Sequence, residues 1–151
     1  MKINLKTANR VTQILAEAGA VEKLGELAAE LVKGRRVAIV SDTNVAPLYL
    51  EHVKELLSTS GFSCGGIVVP AGEASKQPDK LLELWSEFNK LGITRQDVII
   101  ALGGGVVGDL AGFAAATYLR GVKFVQVPTS LLAMVDSHPE IPFTIFLPMA
   151  S

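Results

Sequence analysis

The sequence has a single cysteine, Cys64, which excludes an internal disulfide and favours a reducing compartment such as the cytoplasm. An excess of one charge is also lacking: 14 basic and 15 acidic residues give a net charge of -1, which argues against binding to nucleic acid or to an anionic membrane. No apolar run approaches the ~18 residues of a membrane-spanning helix, and no secretory leader follows Met1. We therefore expect a soluble cytoplasmic protein without a nucleic-acid or membrane partner.

The chain carries enough apolar sequence to bury one core. Hydrophobic residues make up 49% of its 151 residues and charged residues 19%, which is typical of one globular domain. We expect an α/β domain over residues 1–136. In residues 137–151, Pro139, Pro142 and Pro148 argue against a single helix or a central strand, so this segment is predicted to be a divergent, irregular tail.

Apolar, β-branched runs alternate with helical patterns along most of this domain. Strands are predicted at 36–40, 62–69, 97–102 and 122–127, and helices at 21–33, 47–60, 78–91 and 109–119. Because parallel neighbours need long crossover connections, the alternation predicts a Rossmann-like parallel sheet with helices on both faces. Residues 3–15 fit either an opening hairpin or an irregular first helix, and we favour the hairpin.

A glycine-rich segment, Gly103 to Gly108, follows the third of these strands and precedes a helix. Its spacing is G-x-G-x-x-G, in which glycines allow a sharp turn and let phosphate oxygens approach backbone N–H groups. The acidic residue that an ordinary Rossmann fold places about 20 positions later is lacking. The segment is either a diphosphate-binding loop or a tight turn that serves packing alone.

Polar residues follow two further predicted strands. Asp42 and Asn44 come after the first strand, where they either face a ligand at the carboxyl edge of the sheet or form an Asx turn or an N-cap for the next helix. Glu73 and Lys76 lie in the loop after the second strand, and solvated loop charges are the simpler interpretation of that pair. Position alone is compatible with a ligand site at these residues but does not require one.

The helix after the glycine segment carries a charge at each end. Asp109 is predicted in its first turn, where the helix dipole stabilises a carboxylate and where the same group could position a cofactor. Arg120 lies at the far end, where a cation suits the dipole. The residues alone give Arg120 no further role.

A helix that begins near Pro128 would place Thr129, Leu132 and Asp136 on one face. If that face looks into the cleft, Asp136 could hydrogen-bond a polyol. If it looks outward, Asp136 is an ordinary surface residue.

The remaining metal-binding and nucleophilic residue types give no site. His52 and His138 each lack a second ligand at metal-binding spacing, so no metal site is predicted in this chain. Cys64 is interpreted as a small buried hydrophobe rather than a nucleophile, since no base is adjacent in the sequence.

Five segments taken together resemble 3-dehydroquinate synthases over residues 35–136. They are, in chain order, 41–44, 72–76, 103–109, 117–121 and 127–136. The resemblance implies a phosphate-eliminating lyase of the shikimate pathway of aromatic amino acid biosynthesis, which converts 3-deoxy-D-arabino-heptulosonate 7-phosphate into 3-dehydroquinate and phosphate. It also implies NAD as cofactor and a divalent metal, zinc or cobalt, that polarises the reacting oxygen.

The resemblance further implies a role for individual residues. Arg120 would contact the phosphate of the sugar-phosphate substrate, either in its own subunit or across the interface of a homodimer. Asp136 would contact the ring hydroxyls of the substrate. The implied NAD-binding residues fall into three groups. Those near the pyrophosphate and nicotinamide are Gly104, Gly105, Val106 and Asp109, and those toward the adenosine end are Asp42, Asn44, Glu73 and Lys76. The residues that complete the cofactor cleft are Thr129, Ser130 and Leu132.

After Asp136 the likeness to the family stops. The segment with two glycines and a lysine that the family has there is absent, and so is the family's helical second domain with its Glu and His metal ligands. We therefore expect a truncated or frameshifted copy, the cofactor-binding half of the enzyme, that is inactive alone. The alternatives are a stand-alone dinucleotide-binding or dimerising module and a polyol dehydrogenase-like oxidoreductase.

Overall fold

The structure, a computed structural model, describes residues 2–6, 10–17, 23–72, 78–128 and 143–150, and for the first two and the last of these ranges it describes the backbone. The strands are β1 Lys2–Lys6, β2 Arg10–Glu17, β3 Arg36–Asp42, β4 Ser63–Val69, β5 Val98–Gly103, β6 Lys123–Pro128 and β7 Phe143–Ala150. The helices are α1 Leu24–Leu31, α2 Ala46–Thr59, α3 Pro78–Lys90 and α4 Gly105–Thr117, which continues into a 3-10 turn at Tyr118–Arg120.

All seven strands form one sheet in the order β1-β2-β7-β6-β5-β3-β4. The pairs β4–β3, β3–β5 and β5–β6 are parallel, which confirms the predicted Rossmann-like parallel arrangement for this part of the sheet. The strands β1 and β2 are antiparallel neighbours, so the opening hairpin is also confirmed. The chain leaves β3 in one direction, to β4, and leaves β5 in the other, to β6.

Helices cover both faces of the parallel strands, because successive side chains of a strand point to opposite faces. On one face, Val37 and Ile39 of β3 pack with the buried residues of α1 and α2. On the other face, Ala38 and Val40 pack with α3 and α4. Strand β5 is buried along its whole length, which explains why its sequence is a continuous apolar run rather than an alternating one.

The prediction of an irregular tail over residues 137–151 is wrong for its last part. Residues 143–150 form β7, which pairs antiparallel with β2 over eight positions, Pro148 included. Within the described residues, β7 meets β6 through one register pair, Gln126 with Phe146. Pro148 lies opposite Thr12 in this pairing.

The amino edge of the parallel strands is closed by a buried carboxylate. Asp97 Oδ1 accepts a hydrogen bond from Arg36 N at 3.1 Å, and Asp97 Oδ2 accepts hydrogen bonds from Thr94 N at 2.7 Å and Thr94 Oγ1 at 2.9 Å. Gly34 N donates to Gln96 O in the same corner. A Cβ atom on Gly34 would collide with the Asp97 carboxylate, so this corner is filled.

None of the described helices combines the length and the apolar character that crossing a membrane requires.

Candidate functional site at the carboxyl edge of the sheet

Two strand-to-helix turns lie side by side at the carboxyl edge of the sheet, one after β3 and one after β5. These strands are parallel neighbours whose register runs as far as Ser41 opposite Leu102. Beyond that pair, the two chains turn into α2 and α4. Since the connections from β3 and β5 leave in opposite directions, the gap between them is the topological switch point at which open α/β sheets bind ligands.

The turn after β3 is shaped by Asp42. Its Oδ1 atom accepts hydrogen bonds from Asn44 N at 2.9 Å and from Val45 N at 2.8 Å, so the Asx-turn interpretation of this residue is correct. Thr43 connects the turn to the end of β4: Thr43 N donates to Val69 O, and Thr43 Oγ1 accepts from Ala71 N at 3.2 Å. Asp42 is half-buried, and the carboxyl ends of β3 and β4 are held together.

The turn after β5 is made of glycine. Gly104 is the N-cap of α4, with φ −82° and ψ −167° and no side-chain hydrogen bond to the helix start. A Cβ atom built on Gly104 or on Gly105 would meet no heavy atom within 4 Å. The start of α4 therefore has free space beside its two glycines, which would let an anion approach the first N–H groups of the helix.

The other two glycines of this motif serve packing. A Cβ atom on Gly103 would lie 3.1 Å from Val107 Cβ, and one on Gly108 would collide with the side-chain amide of Gln126 on β6. These contacts let α4 approach the sheet closely. The glycine motif is therefore compatible with both alternatives considered from the sequence. Gly103 and Gly108 allow tight packing against the sheet, and Gly104 and Gly105 leave the start of the helix accessible.

Asp109 does not lie where the sequence predicted. The helix begins at Gly105 rather than at Asp109, so the first turn of α4 contains no acidic residue. Asp109 is exposed in the second turn, four residues after Gly105 and on the same side of the helix. The proposed first-turn interaction with the dipole is therefore wrong, because two glycines that favour turns here form the N-cap and the first helical residue. Val106 is half-buried in that first turn.

Arg120 lies at the opposite edge of the sheet from the glycine turn. Helix α4 runs from the carboxyl end of β5 back towards the amino end of β6, and Arg120 follows it. Leu119, Arg120 and Gly121 have φ values of 49°, 66° and 111°, an unusual run for two non-glycine residues. The fold therefore does not bring the exposed Arg120 side chain together with Asp42, Asn44 and the glycine turn of its own chain.

Several predicted residues lie outside the described residues. They are Glu73, Lys76, Thr129, Ser130, Leu132, Asp136 and His138. Within the described ranges, no three His, Cys, Asp or Glu side chains are grouped as a metal site would require. Cys64 is half-buried beside the core, and burial raises the pKa of its thiol above the ordinary value of 9.0 although Ser58 and Lys54 oppose the shift. A neutral thiol agrees with the structural interpretation.

The sequence interpretation gave Ser41 no role and ended the predicted strand one residue before it. Ser41 is the sixth residue of β3, its side chain is fully buried, and its Oγ donates a hydrogen bond to Leu102 O at 2.8 Å. The available signal was a serine that directly follows the apolar run 37–40, since a hydroxyl that continues a buried strand requires a partner.

A separate groove with a volume of about 420 Å³ lies between β4 and α3, away from the glycine turn. Its charged side chains are already paired, Lys80 with Glu83 at 3.2 Å and Lys90 with Glu87 at 3.3 Å. We assign the candidate site to the carboxyl edge rather than to this groove, because the start of α4 lies there at a switch point and has no N-cap side chain that could occupy its first N–H groups.

Comparisons with known sequences show that the chain belongs to the 3-dehydroquinate synthase family. A model of the 3-dehydroquinate synthase N-terminal domain matches residues 66–139. The 3-dehydroquinate synthase of Streptococcus sanguinis is 47% identical over 137 residues, which are 91% of this chain and 39% of the relative. The chain therefore spans about two fifths of the length of such curated relatives.

Two solved structures extend the comparison to bound ligands. A 2-deoxy-scyllo-inosose synthase complexed with carbaglucose-6-phosphate, NAD+ and Co2+ has a TM-score of 0.76 and 25% identity, covering 91% of this chain and 37% of its own. The 2-epi-5-epi-valiolone synthase of Streptomyces hygroscopicus subsp. jinggangensis, with NAD+ and Zn2+ bound, has a TM-score of 0.61 and 31% identity, covering 76% and 32%.

Proposed function

Because the chain is an N-terminal domain of the 3-dehydroquinate synthase family, we propose that it is the NAD-binding half of such an enzyme. The complete reaction would convert 3-deoxy-D-arabino-heptulosonate 7-phosphate into 3-dehydroquinate and phosphate, as a carbon–oxygen lyase. One observation carries the proposal: the start of α4, next to the switch point between β3 and β5, is built of glycines whose Cβ positions face unfilled space.

The residues present fit a dinucleotide in a definite orientation. The N–H groups of Gly105 and Val106 would hold the diphosphate, whose negative charge suits the start of a helix. The turn at Asp42 and Asn44 would hold the adenosine end, with Glu73 and Lys76 after the neighbouring strand β4. When bound, NAD supplies the hydride acceptor and donor of the reaction.

A divalent metal, cobalt or zinc as in the solved relatives, would need ligands other than the described residues of this chain. When bound in the complete enzyme, such a metal would polarise the reacting substrate oxygen. Asp136 would contact the substrate ring from the cleft side, and Thr129, Ser130 and Leu132 would complete the cofactor site.

The position of Arg120 supports a homodimer. Its side chain is exposed at the edge opposite the glycine turn, and Phe113 and Leu119 expose 59% and 50% of their surface on the same helix and the turn that follows it. Exposed apolar residues around a cation suit an interface. Arg120 would then bind the substrate phosphate in the site of a second copy, and the assembly would be cytoplasmic.

Calorimetric titration of the chain with NAD tests the proposal. We expect binding by the native chain and at least a tenfold weaker affinity for Gly105→Val, because the added side chain would occupy the space assigned to the diphosphate. The unfolding temperature of the variant should change little, since the same space is empty of protein atoms. A folded native chain that binds no NAD at millimolar concentration would overturn the proposal.

Phosphate release and NADH accumulation, measured on a protein that joins this domain to a metal-binding second half, separate the lyase from a polyol dehydrogenase. The proposed enzyme regenerates NAD, so we expect phosphate without net NADH. Net NADH from a polyol would favour the dehydrogenase.

A further inference from the structure

Ser41 occupies the last register position that β3 and β5 share. The pairing of β3 with β5 ends at Ser41 opposite Leu102, whereas β5 continues alongside β6 to Gly103 opposite Pro128. The Ser41 hydroxyl donates to the Leu102 carbonyl at 2.8 Å inside the core. This bond joins the two strands at the point where their chains separate into the Asp42 turn and the glycine turn.

The bond fixes the orientation of the glycine turn through the backbone. The Leu102 carbonyl and the Gly103 N–H belong to one planar peptide group, so holding the oxygen also holds the plane from which Gly103 and Gly104 continue. On the other side, Ser41 directly precedes Asp42, whose carboxylate shapes the turn into α2. The hydroxyl therefore bridges the two strand ends from which the turns depart, in addition to the backbone pairing of the strands.

We propose that Ser41 is a positioning residue for the dinucleotide, which acts through the Leu102 carbonyl by holding the glycine turn at a fixed distance from the Asp42 turn. This inference rests on the proposed NAD site. A ligand that contacts both turns at once depends on their spacing, whereas a ligand that contacts one turn does not. The hydroxyl should therefore matter for NAD and much less for adenosine.

The ligand pair NAD and adenosine, titrated into the native chain and into Ser41→Ala, tests this inference. We expect Ser41→Ala to weaken NAD binding by about threefold to tenfold, the effect of one hydrogen bond, and to leave adenosine binding nearly unchanged. Thr94→Val is the matched control, because it removes a hydroxyl that donates to Asp97 at the opposite edge of the sheet. It should lower the unfolding temperature without changing the affinity for NAD.

A second pair of variants separates the hydroxyl from the volume of the side chain. Ser41→Thr and Ser41→Val add similar bulk, but only threonine keeps the donor. We expect the threonine variant to bind NAD more tightly than the valine variant. Equal NAD affinity of the native chain and Ser41→Ala would overturn the inference while leaving the NAD site intact, and failure of the native chain to bind NAD would instead overturn the proposed function.

Discussion

At the amino edge of the parallel sheet, Asp97 accepts three hydrogen bonds and fills the corner beside Gly34. At the carboxyl edge, Gly104 and Gly105 leave the start of α4 without a side-chain cap. Both edges are made of the same four strands and use glycine, yet the first is closed by protein atoms and the second is left open to a ligand. Glycine at one edge makes room for a neighbouring carboxylate, and glycine at the other makes room for something that the chain itself does not supply.

The largest effect is expected at the closed edge. Asp97→Ala removes the acceptor of the hydrogen bonds from Arg36 and Thr94, which should lower the free energy of unfolding by about 2–4 kcal/mol. Urea unfolding measures this loss, and Asp97→Asn, which keeps one carbonyl oxygen, should lose less. A loss as small as that of an ordinary surface substitution would contradict the closed-edge interpretation.

The substitution Gly34→Ala should have the next largest effect on stability. The new Cβ would lie 2.6 Å from the Gln96 carbonyl oxygen, a backbone atom, and would also press on Asp97. We expect a destabilisation of about 1–3 kcal/mol, which is the usual cost of overpacking. The melting temperature reports the change, and NAD affinity of the folded protein should stay the same because the affected corner is at the other edge.

The same substitution at the open edge should have the opposite profile. Gly105→Ala places its methyl group in unfilled space at the first position of α4, so stability should stay the same or rise by up to about 1 kcal/mol through the better helix propensity of alanine. NAD affinity should fall, by less than for the larger valine. Reduced stability together with unchanged NAD affinity would remove the distinction between the two edges.

The smallest expected effect concerns Cys64, near the amino end of β4. Burial raises its thiol pKa above 9.0 in the folded chain, so the neutral thiol contributes to stability below pH 9 and this contribution is lost as the pH rises above that value. The difference in unfolding free energy between the native chain and Cys64→Ala should therefore shrink between pH 8 and pH 10. A difference that grows with pH would contradict the raised pKa.

The parallel sheet could be predicted from the sequence because β3 and β5 contain continuous apolar runs and glycine or proline lies at or near the ends of α2, α3 and α4. Strand β7 could not, since Pro148 argued against a strand and the partner β2 is more than 100 residues away in the chain. Local patterns carry no information about a pairing of that kind, so the prolines outweighed the apolar residues between them.

Only part of the candidate site could be predicted, because local sequence patterns do not show contacts between residues that are distant in the chain. The glycine turn and Asp42 follow from local turn chemistry, and the structure places both at the carboxyl edge. Ser41 was missed because its partner, Leu102, is distant in sequence, and a serine before Asp42 and Thr43 is typical of a turn. Arg120 lies far from the other described site residues because α4 separates them, a consequence of topology rather than of any single residue.

Helix α4 contains 13 residues, and at about 1.5 Å per residue it spans roughly 20 Å between the glycine turn and the Leu119–Arg120 corner. Its residue count thus sets the separation and the relative rotation of the two ends. One alanine inserted in its middle would shift the corner by about 1.5 Å and rotate it by about 100° relative to the glycine turn. The length of the helix therefore determines how the Leu119–Arg120 corner is presented relative to the glycine turn.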